Sequence, residues 1–105
     1  MGMSILLREY EGNLFSGWLD MEKVDEEASL HRFYAELERR LQAEWPDAEI
    51  RIERQARTIG PTPDPIVSGD DLSAAEERDI IDRIHRIGEV LYEESESWLV
   101  ERGAE

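Results

Sequence analysis

The sequence contains no cysteine, which excludes disulfide frameworks, thiolate-ligated zinc and thiol nucleophiles and leaves redox chemistry silent about compartment. Lysine is almost absent too: Lys23 is the single one, beside eleven arginines. These twelve basic residues face twenty-six acids, for a net charge of -14, well beyond the roughly 2 to 8 units usual for a small soluble domain. Direct, non-specific binding to DNA or RNA is thereby disfavoured, because it depends on neutralising phosphates with a positive surface. An anionic membrane leaflet would repel the chain for the same reason. Nowhere do about eighteen apolar residues run together, as a spanning helix requires. The opening Met1 to Leu7 has a short apolar patch with no basic region before it, so no signal peptide is expected and a cytoplasmic address is the default. Met1-Gly2 lacks the serine or threonine that N-myristoylation wants at position six, where Leu6 stands.

What is present suits a globular fold. The 105 residues are 40% hydrophobic, including three tryptophans, and 36% charged, enough apolar material for one core in a single domain spanning 1–105.

Short apolar stretches from Ile5 to Tyr10 and from Leu14 to Met21 flank Gly12-Asn13, a turn-prone pair, so a β-hairpin is expected there. The competing reading caps a short helix with Ser4 and ends it at Gly12. Gly17 would mark a bulge or close approach in the second strand. Asp25-Glu26-Glu27 opens a helix with a capping side chain and two first-turn acids. Its stripe of Leu30, Phe33, Tyr34, Leu37, Leu41 and Trp45 repeats at intervals of three and four until Pro46 stops it. Ala48 to Arg54 alternates apolar and charged residues, predicting a strand with Ala48, Ile50 and Ile52 turned to the core. Gly60 to Pro65 carries alternate prolines and reads as a stiff, extended connector. Ser73 and Glu76 form a capping box, predicting a last helix that runs to about Arg102. Ile80, Ile84, Ile87, Leu91 and Trp98 form its stripe. Gly88 inside the arc suggests that another backbone crosses there. The order β-β-α-β-α predicts an α+β fold: a small two-layer domain with two helices packed on one face of a short, mostly antiparallel sheet.

Chemical candidates are sparse. Asp82, His85 and Glu89 share one face of the last helix at a spacing a metal would tolerate, but that face lies opposite the apolar stripe, where acids are ordinarily solvated. His31, at the edge of the first helix's stripe, is expected to be half-buried. No serine sits in a nucleophile elbow, and Gly69-Asp70-Asp71 would aim acids where a phosphate should sit. No catalytic residue, cofactor or metal is implied. A small metal-dependent enzyme built on the histidine cluster is the weakest alternative.

The acids themselves carry the most information. Between Glu76 and Arg102 nine acids face four arginines. Asp79, Asp82, Glu89 and Glu93 cluster in one outward arc with only Arg86 among them, and Glu96 follows. A row of carboxylates one helical turn apart approximates the charge pitch of a nucleic-acid backbone and would steer a basic partner. In size, acidity and want of a catalytic motif, the chain resembles the small anti-CRISPR and anti-restriction inhibitors of phages and mobile elements, some of which mimic DNA. The likeness is one of character, without a shared motif. The expected function is a non-catalytic, acidic protein-binding module, an inhibitor that blocks the basic surface of a nuclease or CRISPR or restriction effector. Phe15 or Trp18 is the candidate aromatic anchor. The alternative is a structural module in which the last helix's apolar arc builds a homodimer and the acids only solubilise it.

Overall fold

The computed structural model describes residues 2–15, 23–56 and 59–101. Its central strand is β1 (Met3–Tyr10), followed by a 3-10 turn over Glu11–Phe15. Helix α1 spans Glu26–Glu44, β2 Glu49–Gln55, β3 Ile66–Gly69 and α2 Ala74–Glu93. A second 3-10 turn covers Ser95–Ser97. The strand order is β2-β1-β3. β2 runs parallel to β1 from Ser4↔Glu49 to Tyr10↔Gln55, and β3 runs antiparallel to it from Met3↔Gly69 to Leu6↔Ile66.

Two helices packed with a three-stranded sheet make the α+β domain expected from the sequence, but the sheet is mixed rather than mostly antiparallel. The reason lies in α1. A 19-residue helix carries the chain about 28 Å back along the sheet, so the next strand starts level with the first and runs the same way. At the start of the expected hairpin's second arm, Leu14 and Phe15 lie in the 3-10 turn, not in a strand, and are buried. Gly17, Trp18 and the rest of that arm lie outside the described residues.

The layers follow from alternation. Ile5 and Leu7 of β1 are buried, level with Ile50 and Ile52 of β2 and Val67 of β3. Against this face α1 presents Leu30, Phe33, Tyr34, Leu37 and Leu41, and α2 presents Ile80, Ile84 and Leu91. α1 lies over β2 and α2 over β3. Ala48 is buried as expected, whereas Ile50 and Ile52, near the sheet's edge, are half-buried.

Caps hold both helices. The Asp25 carboxylate accepts from the Ala28 amide at 3.1 Å. At the far end, the Gln42 side-chain NH2 lies within 3.1, 3.2 and 2.9 Å of the carbonyls of Trp45, Pro46 and Ala48, and its two hydrogens tie the turn that follows α1 back to the helix. The Ser73–Glu76 capping box is complete in both directions, at 3.0 and 3.1 Å.

α2 stops at Glu93, not near Arg102. Glu94 leaves helical geometry at ψ 57°, and the chain folds back so that Trp98, 0% exposed, enters the core. Its indole N–H donates to the Leu91 carbonyl at 2.9 Å, and its ring meets Phe33 edge-on at 5.2 Å. Burying a large aromatic with its one donor satisfied outweighs two more turns of exposed helix. The returning segment is stitched to the start of α1. The Asp25 amide donates to the Val100 carbonyl at 2.8 Å, and the fully buried Ser29 hydroxyl accepts from the Val100 amide at 2.8 Å.

Candidate functional site

Where β1 outruns the core, the space between the two helices opens into a cleft of about 430 Å³. Its apolar floor is Leu7, Leu14, Phe33, Leu37 and Ile84. Tyr10, Tyr34 and Tyr92 supply aromatic wall, and Glu9, His85, Glu89 and Glu93 supply titratable groups. The volume falls within the range of small-ligand sites.

Glu9 is the unusual member. Positions 5, 7 and 9 share the inner face of a strand, so Glu9 continues the line of Ile5 and Leu7 with a carboxylate where a third hydrophobe would be expected. Its cross-strand neighbour is Arg54, but Arg54 is engaged elsewhere. The Arg54 Nε donates to Glu11 at 2.6 Å, and the guanidinium lies 4.8 Å from the centroid of the Tyr34 ring. Glu9 is left with neither a hydrogen-bond nor an ion-pair partner among the described residues. Burial pushes its carboxyl above the ordinary 4.5, and the nearby His85 opposes that shift. Burial also raises the Tyr34 phenol, reinforced by Glu9 and Glu11 and opposed by Arg54.

The proline connector is strapped along the cleft. At its start, Asn13 makes a paired contact with Gly60, donating to its carbonyl at 2.8 Å and accepting from its amide at 3.0 Å. A third bond from Asn13 reaches the Thr62 hydroxyl at 3.1 Å. At the other end, Asp64 meets His85 Nε2 at 3.1 Å. Thr62, Pro63 and Pro65 thereby line the opening. Gly88 faces the cleft from α2, and a Cβ there would meet nothing within 4 Å. The close backbone crossing expected at this glycine is absent; its missing side chain widens the cleft instead.

The other sequence candidates are divided by the fold. Asp79 is paired with Arg83 at 3.2 Å and Asp82 with Arg78 at 3.1 Å. Glu89 and Glu93 are exposed, line the cleft and have no ion-pair partner among the described residues. Glu96 lies beyond α2, exposed in the second 3-10 turn. Phe15, a candidate anchor for a partner, is only 8% exposed and packs 6.2 Å from Trp98, so its ring is committed to this chain's own core. Trp18 lies outside the described residues. His85 turns to Asp64 and Asp82 to Arg78, and no group of three potential metal ligands assembles among the described residues. His31 is exposed rather than half-buried.

Sequence reasoning missed Glu9, Tyr34, Asn13 and Asp64 as site residues. Alternation alone would have turned Glu9 inward, but Asn13 and Asp64 act across long sequence separations that no local pattern records.

The fold and cleft thus define a small acidic α+β protein with a carboxylate-rich, aromatic-walled cavity. No protein-family model, curated protein or solved structure matches the chain. Among the described residues, no helix is long and apolar enough to cross a membrane.

Proposed function

We propose that this protein is a non-catalytic binding module that occupies the basic surface of a protein partner, such as a nuclease or another nucleic-acid-binding machine. The observation that carries this reading is the distribution of its -14 charge: Glu89 and Glu93 are both exposed on α2 and both line the cleft, so outward acid continues into a cavity. Asp79 and Asp82 flank that region with their charge partly neutralised by arginine. Exposed pairs of this kind hold together weakly, by about 0 to 1 kcal/mol, so a partner can displace the internal guanidinium with its own. Binding is favoured over catalysis because His85 and Asp64 serve as the connector's tether. A homodimer through the α2 arc has less support, since Ile80, Ile84 and Leu91 are spent in the chain's own core.

The test is affinity capture from a cell lysate at low and high salt, followed by identification of what is retained. The expected result is a nucleic-acid-binding protein that is lost at high salt and after Asp79→Asn, Asp82→Asn, Glu89→Gln and Glu93→Gln are combined, and whose nucleic acid this chain displaces. Capture indifferent to both salt and substitution, or of proteins with no nucleic-acid affinity, overturns the reading.

A further inference from the structure

The cleft repeats, with one component missing, an arrangement the molecule already completes beside it. At Tyr34 a guanidinium, an aromatic ring and a carboxylate are assembled from Arg54, Tyr34 and Glu11. A planar, weakly hydrated guanidinium stacks on rings and forks onto carboxylates, which suits it to such a place better than an ammonium group. On the cleft side Tyr34 is again present, with Tyr10 and the inward-facing Glu9, and Glu89 and Glu93 line the same cavity from α2. Glu9 makes no ion pair among the described residues: its cross-strand neighbour Arg54 is held by Glu11 and Tyr34, and His85 by Asp64. A carboxylate in partly desolvated surroundings is costly unless paired, and an entering cation would relieve that cost. The floor of Leu7, Phe33, Leu37 and Ile84 would accommodate the methylene stem of a long basic side chain, and Gly88 keeps the wall open.

We propose that this cleft is a subsite for an arginine side chain of the protein partner, with its guanidinium held by Glu9 against the tyrosines and its stem on the apolar floor. The inference rests on the reading above, that the chain binds a basic protein surface, and adds the single partner residue that enters the fold. Glu9 supplies the salt bridge, Tyr10 and the part of Tyr34 that lines the cavity supply aromatic surface, and Glu89 and Glu93 steer the approach.

The test is an NMR titration of the full chain with three capped tripeptides, acetyl-Gly-Xaa-Gly-amide, where Xaa is arginine, lysine or citrulline, and with agmatine as the free small-molecule guanidine. The expected result is saturable shifts at Glu9, Tyr34 and Gly88 with the arginine peptide, at least about tenfold weaker binding by lysine, and none by the neutral citrulline. Glu9→Gln, whose fold is checked in the same spectra, is expected to weaken arginine binding about tenfold or more. Gly88→Leu, which fills the cavity without touching charge, is expected to abolish the shifts. No saturable shift with the arginine peptide, equal binding by citrulline, indifference to both substitutions, or a cleft that binds agmatine but not the arginine peptide would each overturn the proposal. The peptide's behaviour is independent of lysate capture, so a bound arginine with no nucleic-acid-binding partner retained would sink the functional reading and leave the subsite standing.

Discussion

Glu9 shows how much one residue can reveal and how little its neighbours announce it. Its carboxyl is raised in the folded protein from the ordinary 4.5, so folding favours its protonated form. The sign follows: ionised Glu9 destabilises the fold above the raised value, and stability recovers as pH falls from there toward 4.5. Glu9→Gln is therefore expected to raise the melting temperature at neutral pH, with the advantage vanishing below about pH 4.5, where wild type is protonated in both states. Thermal melts across the pH range read this directly, and a variant less stable at neutral pH would contradict it. Gly88 makes the companion case. A methyl group there would meet nothing within 4 Å, so Gly88→Ala should gain about 0.5 to 1 kcal/mol of helix propensity in urea unfolding. Both outcomes would show stability forgone at an open cavity, the pattern that the proposed binding role leads one to expect.

At the scale of the element, the sequence was most readable where a pattern was long and local. The stripe on α1, the Ser73–Glu76 box and the alternation of β2 each involve several residues at fixed intervals, and each appears where expected. β3 escaped because it is four residues long, with only Val67 buried, and follows a run of prolines. The end of α2 escaped because Trp98 fits the helical stripe but gains more by turning back onto Phe33. Trp98→Ala is accordingly expected to cost about 3 to 5 kcal/mol, measured by denaturant unfolding; a loss under about 1 kcal/mol would place the indole outside the core. The two helices are also bracketed at their edge. Arg40 bridges Glu36 at 2.8 Å and Glu94 at 2.7 Å. Hydrogen bonds from Arg39 and Arg40 hold the Glu36 carboxyl at about 2, below its ordinary 4.5. The contribution of Glu36's pairing with Arg39 and Arg40 is present above pH 4.5 and fades as pH falls through about 2. Carbon-detected NMR titration of Glu36 should show the late protonation, and a midpoint near 4.5 would mean that its pairs with Arg39 and Arg40 are open in solution.

For the whole molecule, a charge of -14 is a repulsive load that compactness concentrates. Added salt screens it over about 10 Å at 0.1 M, and that relief exceeds the loss of weak exposed pairs such as Asp79–Arg83. The melting temperature is therefore expected to rise between low and moderate ionic strength. A fall in calorimetry would mean that arginine pairing, not repulsion, dominates the surface.

The return of Trp98 also has a temporal side. Because its indole lies among Phe15, Phe33 and Tyr92, and Val100 completes the hydrogen bonding of Ser29 and Asp25, the earliest-made parts of this core await one of its latest. On a translating ribosome, α1 can coil as it emerges, but the interior cannot seal until the segment through Val100 has cleared the exit tunnel. A nascent chain stalled before that point would display its unfinished aromatic cluster to chaperones and proteases.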